Sequence, residues 1–279
     1  MPEIGGLQVV KVSQRTDYVK MLVYGVPGAG KTYLAGTADD VDFMRPVLFV
    51  DIEGGTKTIR KLHPDVEVLR VVDKFDDKGR LKRTAWERLQ DVYEDLRRGV
   101  GDYRTVVIDN LTEAQKISMY SVLAKVTQEN PIRDPDIPAE RDWGKSGEMV
   151  RRMVRAFRDL EAHVIFTCHQ QDVRDQRTGT IEIRPSLPGK LSMEIAGFVD
   201  EVLYLYTKPD KSQEGEVIRK ILCNPTEKYI AKTRGGLPTV IDDPTMAKIA
   251  SYVLDSQPQP VGVLPEPEPI TIGSGLEGE

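Results

Sequence analysis

Short apolar runs alternate with amphipathic segments over the first two thirds of the chain. Five runs have the length and the β-branched content of buried strands; they lie at residues 19–24, 47–51, 66–72, 105–109 and 163–168. Helical periodicity predicts helices at residues 32–38, 84–98, 112–127 and 146–160. Thr84 and Glu87 form a capping box at the start of the second helix, and Gly99 ends it. This alternation predicts an α/β fold with a mostly parallel central sheet flanked by helices on both faces.

The pattern changes after residue 168 to short extended pieces. These predict further strands, which we expect to extend the sheet in antiparallel fashion, at residues 181–184, 201–206, 217–223 and 229–232. From residue 256 onward the chain is acidic, rich in proline and without periodicity, which is typical of a disordered tail. We therefore predict an N-terminal extension at residues 1–18, a globular core at 19–255 and a disordered tail at 256–279.

Composition narrows the class of protein. The chain has 279 residues and a formal net charge of −5, and four acids in the predicted tail leave the rest close to neutral, so any nucleic-acid surface must be local. Without a signal pattern or a long uncharged apolar stretch, we expect a cytoplasmic protein with no membrane partner. Cys168 and Cys223 have no metal-ligand spacing and fit buried positions in a reducing compartment.

Residues 25–32 read Gly-Val-Pro-Gly-Ala-Gly-Lys-Thr, a complete G-x-x-x-x-G-K-[ST] phosphate loop between a predicted strand and a predicted helix. The glycines let backbone N–H groups point at phosphate oxygens. Lys31 adds positive charge near the β and γ phosphates, and the Thr32 hydroxyl can bind Mg²⁺. The sequence therefore predicts a nucleoside triphosphate site formed by Gly25, Val26, Pro27, Gly28, Ala29, Gly30, Lys31, Thr32 and Tyr33.

Two acids complete this predicted site. Asp109 ends the apolar run at residues 105–109, where such sites place the carboxylate that holds Mg²⁺ directly or through water. Many ATPases follow that residue with a water-activating Glu, but here Asn110 stands in its place. Glu53, followed by two glycines that permit close approach to the phosphates, is our candidate general base. Glu113 is the reserve candidate.

His169 and Gln170 follow the predicted strand at residues 163–168. Carboxyl ends of parallel strands share one edge of a sheet, so this pair should lie beside the phosphate loop. We predict that the pair senses the γ-phosphate and signals to the loop that follows. A structural histidine at a strand end remains the alternative for His169.

These motifs, at residues 25–32, 49–53, 106–110 and 165–170, resemble in order and spacing the ATPase core of RecA-like recombinases. The resemblance covers roughly residues 18–235, although His169 replaces the family's usual Asn. The short chain and its Glu-Gly-Gly step look more like the phage-encoded RecA-like proteins associated with single-strand annealing. The resemblance implies a RecA-like P-loop NTPase fold, ATP and Mg²⁺ as cofactors, and DNA-stimulated ATP hydrolysis in recombination or annealing, in the host cytoplasm if the chain is phage-encoded.

The same resemblance implies that two segments, residues 130–145 and 171–190, are loops that face single-stranded DNA. Their basic side chains suit sequence-independent contact with phosphates; they are Arg133, Arg141, Lys145, Arg174, Arg177, Arg184 and Lys190. Acidic residues in both segments leave a plain solvated surface as the alternative.

Lys232 and Arg234 are similar to the family's basic pair that reaches the ATP of the next subunit. This likeness implies a homo-oligomer, a ring or a filament, with ATP at the subunit interface. The acidic tail is either a solubilising segment or a docking peptide for a single-strand-binding protein or another partner. Two other functions stay open: a P-loop ATPase that acts on protein partners without DNA, and a small-molecule kinase.

Overall fold

A central sheet organises the unit that spans Tyr18–Asp255. The structure, a computed structural model, describes residues 2–11, 17–210 and 217–254. Its strands are β1 (Glu3–Ile4), β2 (Leu7–Gln8), β3 (Lys20–Gly25), β4 (Val47–Asp51), β5 (Glu67–Arg70), β6 (Lys74–Phe75), β7 (Leu81–Arg83), β8 (Thr105–Asp109), β9 (His163–Arg174), β10 (Ile181–Pro185), β11 (Glu201–Pro209), β12 (Val217–Leu222) and β13 (Val240–Asp242).

The strands of the central sheet follow the order β13-β12-β11-β3-β9-β8-β4-β5, and β10 pairs with β9 beside this path. The six strands from β11 to β5 in this order run parallel to one another. By contrast, β10, β12 and β13 are antiparallel to theirs. This confirms the predicted mostly parallel sheet with added antiparallel strands.

Helices cover both faces of the sheet. They are α1 (Lys31–Gly36), α2 (Ala85–Arg97), α3 (Leu111–Glu129), α4 (Glu140–Arg158), α5 (Leu191–Phe198) and α6 (Met246–Leu254). Along β4, Leu48 and Val50 belong to one buried cluster with residues of α2, α3 and α4, whereas Val47 and Phe49 belong to another with residues of α1 and α6. Strand side chains alternate between faces, so both faces of this strand are apolar because both are covered.

The predicted start of α2 is confirmed. The Thr84 hydroxyl accepts a hydrogen bond from the Glu87 N–H at 3.2 Å, and the Glu87 carboxylate accepts one from the Thr84 N–H at 3.0 Å. Gly99, with a φ of +80°, follows the helix end.

Three sequence expectations about later elements are wrong. Strand β11 is parallel to β3 rather than antiparallel, because the segment before it returns the chain to the amino end of the sheet. Residues 229–232 form isolated bridges with Ile183 and Val202 instead of a strand. The helix predicted at residues 146–160 begins earlier, at Glu140.

The N-terminal residues form a separate small hairpin. Strands β1 and β2 pair antiparallel across Gly5 and Gly6, whose positive φ angles of 60° and 77° suit a tight hairpin turn. Ile4 and Leu7 of this hairpin are exposed. The predicted tail at residues 256–279 lies outside the described residues. In the part of the chain that the structure covers, none of the helices is long and apolar enough to cross a membrane.

His163, at the start of β9, makes folding sensitive to pH. Its Nδ1 accepts a hydrogen bond from the Val19 N–H at 3.0 Å. Burial, reinforced by the positive charges of Lys20 and Arg104, lowers the pKa of His163 to about 4, against about 6.5 in an unfolded chain. Between these values the unfolded chain binds a proton that the folded chain does not, so stability falls as the pH falls.

We expect His163 to remove about 2–3 kcal/mol from the free energy of unfolding between pH 7.5 and pH 4.5. Urea unfolding of His163→Asn, whose side-chain oxygen can still accept from Val19, should show a correspondingly flatter pH dependence. The wild type, unfolded in urea at the same pH values, is the reference for this comparison. The same slope in His163→Asn and the wild type would contradict this assignment.

Candidate active site

The phosphate loop joins the end of β3 to the start of α1, and its backbone geometry requires or favours glycine at three positions. A Cβ on Gly25 would lie 2.2 Å from the carbonyl oxygen of Leu205, so no side chain fits there. Gly28 and Gly30 have φ angles of +82° and +104°, in the left-handed region that favours glycine. The loop therefore keeps the curled backbone that a phosphate cradle requires.

Lys31 lies inside this loop. Its ammonium donates hydrogen bonds to the carbonyl oxygens of Gly25 at 3.1 Å and Val26 at 3.0 Å. Burial lowers the pKa of Lys31, while the carboxylates of Glu53 and Asp109 act in the opposite direction. A cation that is held here and incompletely hydrated is well placed to bind phosphate oxygens.

Asp109 and Thr32 form the candidate metal position. The Thr32 hydroxyl donates to Asp109 Oδ2 at 2.9 Å, and the Thr167 hydroxyl donates to Asp109 Oδ1 at 2.5 Å. Burial raises the pKa of Asp109 despite these two hydrogen bonds, so a cation beside it would favour its charged form. A Cβ on Gly55 would lie 3.5 Å from Thr32 Oγ1 and 3.6 Å from Asp109 Oδ2, so this glycine leaves space next to both oxygens.

These oxygens fit Mg²⁺, which binds through one or two protein oxygens together with phosphate and water. No group of three or more His, Cys, Asp or Glu side chains that could hold a metal occurs among the described residues. A metal at this position would therefore depend on the substrate phosphates for further ligands.

Glu53 lies at the centre of a polar cluster. Its Oε2 accepts a hydrogen bond from Asn110 Nδ2, and its Oε1 is 2.9 Å from His169 Nε2. Asn110 Nδ2 is also 3.2 Å from His169 Nε2. Two predicted site residues are thus brought together, and Asn110 joins them. In the sequence, Asn110 is notable only because it stands where many ATPases have a glutamate. Nothing in the sequence indicates that its amide binds Glu53.

A buried aspartate fixes the turn that carries Glu53. Asp51 Oδ1 accepts from the Gly54 N–H at 2.6 Å and from the Arg70 guanidinium at 3.0 Å, and Asp51 Oδ2 accepts from the Thr56 hydroxyl at 3.0 Å. The Glu53 N–H donates to the Asp109 carbonyl at 3.3 Å. Side chain and backbone together place the carboxylate of Glu53 beside the phosphate loop.

Glu113, the reserve candidate, has other contacts. Its N–H donates to Asn110 Oδ1 at 2.9 Å and caps α3, and its carboxylate binds the Lys116 ammonium at 2.6 Å. This arrangement favours Glu53 as the general base.

A cavity of about 590 Å³ lies over the phosphate loop. Lys31, Thr32 and Tyr33 line it together with Glu53 and His169, and so does Arg219 of β12. Sequence reasoning missed Arg219 because no local motif surrounds it; only the pairing of β12 with β11 brings it to the loop.

Comparison with known proteins identifies the family of this chain. A family model of the AAA domain, AAA_24, matches residues 17–235, most of the chain. The chain belongs to the AAA_24 family. This family and the complete phosphate loop make the protein a P-loop ATPase, which implies nucleotide binding. None of the curated proteins matches the sequence of this AAA domain.

Two solved structures match this chain at low identity. The RadB recombinase matches with a TM-score of 0.41 and 16% identity, over 73% of this chain and 79% of that one. A DnaB-like replicative helicase, described with its interactions with primase, matches with a TM-score of 0.47 and 16% identity, over 80% of this chain and 56% of that one.

The segment after His169 in this AAA domain is not the predicted loop. Strand β9 continues through Gln170 to Arg174, and β10 returns beside it, with Gln170 opposite Pro185 and Arg174 opposite Ile181. Gln170 Nε2 donates to Asp172 at 3.2 Å, while its Oε1 is buried and has no hydrogen-bond partner in the described part of the chain. His169, which contacts Glu53, and the second predicted DNA segment therefore belong to one β-hairpin.

The seven candidate DNA residues differ in exposure. Arg133 forms a largely buried ion pair with Asp142, and Arg184 lies 3.6 Å from Glu182, with its guanidinium mostly covered. The other candidates reach solvent; they are Arg141, Lys145, Arg174, Arg177 and Lys190. Arg141 and Lys145 belong to the first turns of α4 rather than to a loop.

Lys232 and Arg234 lie at the opposite edge of the sheet from the phosphate loop. Lys232 pairs with Val202 near the start of β11, and Val202 lies opposite Leu22, about 10 Å along β3 from Gly25. The Lys232 ammonium donates to two backbone carbonyls, at 3.0 and 2.5 Å. The Arg234 guanidinium is largely exposed and binds Asp200 at 2.6 Å.

Proposed function

We propose that this AAA domain hydrolyses ATP with Glu53 as the general base and couples hydrolysis to single-stranded DNA bound at the β9–β10 hairpin, in recombination or strand annealing. The contact between Glu53 and His169 carries the proposal. His169 belongs to the strand that continues into the hairpin, so its contact with Glu53 connects the proposed base to the candidate DNA surface.

The residues of the site suit the reaction as follows. Backbone N–H groups of the loop and the Lys31 ammonium bind the phosphates, and Thr32 and Asp109 would hold Mg²⁺, which neutralises charge on the β and γ phosphates. Glu53 accepts a proton from water as the water oxygen bonds to the γ-phosphorus and the bond to the β–γ bridging oxygen breaks. Asn110 orients the Glu53 carboxylate.

Exposed cations support the DNA part of the proposal. Arg174 and Arg177 lie on the hairpin, and Arg141 and Lys145 lie at the start of α4. Their contacts would be to phosphates, because Trp143 is the one aromatic residue within the two segments. Such binding should be sequence-independent and sensitive to salt.

We expect the double variant Arg174→Gln/Arg177→Gln to weaken single-stranded DNA binding and to remove DNA stimulation of ATP hydrolysis, with basal turnover preserved. The slope of log affinity against log salt should become shallower by about 1.4, since each lost phosphate contact contributes about 0.7. Fluorescence anisotropy with a labelled oligonucleotide over a salt series measures this slope.

Arg97→Gln/Arg98→Gln is a matched control, because it removes the same charge from the exposed end of α2. Equal losses in the two double variants would show that net charge, and not the hairpin, determines binding. Wild-type protein that hydrolyses ATP without binding oligonucleotides would reject the DNA role and favour a protein partner.

We further propose a ring or filament in which Arg234 contacts the ATP of a neighbouring subunit. Its exposure at the sheet edge opposite the phosphate loop supports this proposal, because a residue there reaches a nucleotide only across an interface. Lys232 has backbone partners and is the weaker candidate for this role.

A further inference from the structure

Arg219 lies at the same edge of the sheet as the phosphate loop. Strand β12 is antiparallel to β11, with Arg219 opposite Thr207. Tyr204, three residues earlier in β11, lies opposite Tyr24 of β3, the residue before Gly25. This register carries Arg219 past the end of β3, to the level where the loop begins.

Its side chain packs directly on the loop. A Cβ on Gly30 would lie 2.7 Å from Arg219 Nε and 3.1 Å from its Cδ, so a larger residue in place of this glycine would displace the arginine. Arg219 Cζ lies 5.3 Å from the centre of the Tyr33 ring, within the range of a cation–π interaction. The guanidinium is thus fixed between the residues that flank Lys31 and Thr32.

One donor of this guanidinium is left over. Arg219 Nε is buried and has no hydrogen-bond partner among the residues that the structure describes. Buried donors are nearly always paired, and an exception indicates a missing partner. Arg219 also lines the cavity over the loop, so an anion bound there could supply the acceptor.

The order of strands indicates which part of a bound nucleotide Arg219 would contact. Strand β12 lies on one side of β3, whereas β4 and β8 lie on the other. Glu53 follows β4, and Asp109 ends β8. The γ-phosphate must be close to Glu53 if that residue activates water. Arg219 is therefore on the side of the nucleoside.

We infer that Arg219 is a phosphate-binding residue of its own subunit's nucleotide site, and that it holds the α-phosphate end of the bound triphosphate. This inference rests on the proposed ATP site. It assigns the subunit a cation of its own, distinct from Arg234 across the interface. Because Arg219 is remote from the attacking water, it should act on nucleotide affinity and not on the chemical step.

The test measures Arg219→Gln and Arg219→Lys by calorimetry with MgATP, MgADP and magnesium tripolyphosphate. Loss of a charge-assisted hydrogen bond predicts that Arg219→Gln weakens all three by a similar factor, about tenfold to a hundredfold. Arg219→Lys should lose less, and kcat at saturating ATP should stay within about twofold of the wild type. The control Lys220→Gln changes the next residue of β12, whose ammonium binds Asp242, and should leave the three affinities unchanged.

Several results would overturn the inference. Wild-type affinity of Arg219→Gln for all three ligands would exclude a phosphate-binding role for Arg219. Weaker binding of ATP and ADP with unchanged binding of tripolyphosphate would assign Arg219 to the base or ribose instead. A fall in kcat at unchanged KM places it in the chemical step. Wild-type protein that binds none of the three ligands would instead overturn the ATP site, and the inference with it. Thermal unfolding of both variants shows whether they are folded, and Arg219→Lys keeps the test valid if Arg219→Gln is not.

Discussion

We expect Glu53→Gln to hydrolyse ATP about a hundredfold to ten-thousandfold more slowly than the wild type, the usual effect of losing a general base. Glutamine keeps the size of the side chain and an oxygen that can accept the Asn110 amide hydrogen bond. What it loses is the ability to take a proton from water. ATP affinity should therefore stay close to the wild-type value, and the loss should appear in kcat.

Steady-state turnover and calorimetric ATP binding, measured on the same preparation, check this expectation. Glu113→Gln is the matched control, since Glu113 lies in the first turn of α3 and binds Lys116. It should keep most of the turnover. Normal turnover in Glu53→Gln together with a large loss in Glu113→Gln would move the catalytic role to Glu113.

We expect Lys31→Ala to lose ATP affinity by about a hundredfold or more, because in the proposed site the ammonium would make more than one charge-assisted contact with the phosphates, each contributing about 1.5–3 kcal/mol. Hydrolysis should become undetectable at millimolar ATP. The effect should exceed that of any exposed lysine, since Lys31 is already desolvated in the loop.

A second effect of this change needs its own measurement. Alanine removes the Lys31 hydrogen bonds to the carbonyl oxygens of Gly25 and Val26, although the Val26 carbonyl still accepts from the Ala29 N–H at 3.2 Å, so the variant should also be modestly less stable. Urea unfolding separates this effect from loss of the phosphate contact. The exposed Lys61→Ala serves as the control for charge. ATP affinity near the wild-type value in Lys31→Ala would contradict a phosphate role for this lysine.

The buried parallel strands could be predicted from sequence because their side chains are apolar on both faces. The run Val-Leu-Phe-Val-Asp at residues 47–51 is an example, since both faces of β4 are covered by helices. Direction was harder to predict. Strand β11 was expected to be antiparallel, because its own residues do not encode which neighbour it joins or from which end of the sheet it starts.

Sequence was least informative where pairing, and not burial, makes a strand. The half of β9 from His169 to Arg174 is polar and partly exposed, so it resembled a loop. Its pairing with β10 makes it continuous with the buried half. In the same way, Asn110 and Arg219 reach the site through contacts between residues far apart in the chain, and no local pattern predicts such contacts.

The continuity of β9 has a thermodynamic consequence. A ligand that binds the hairpin can alter nucleotide affinity only if it binds the nucleotide-loaded and nucleotide-free forms with different free energies. Linkage then requires nucleotide to alter the affinity of that ligand by the same factor. An unbroken strand transmits such a coupling without first having to order a loop. If the two forms differ in this way, the hairpin ligand and the nucleotide would each act as an effector of the other, and the contact between His169 and Glu53 would couple the two binding equilibria.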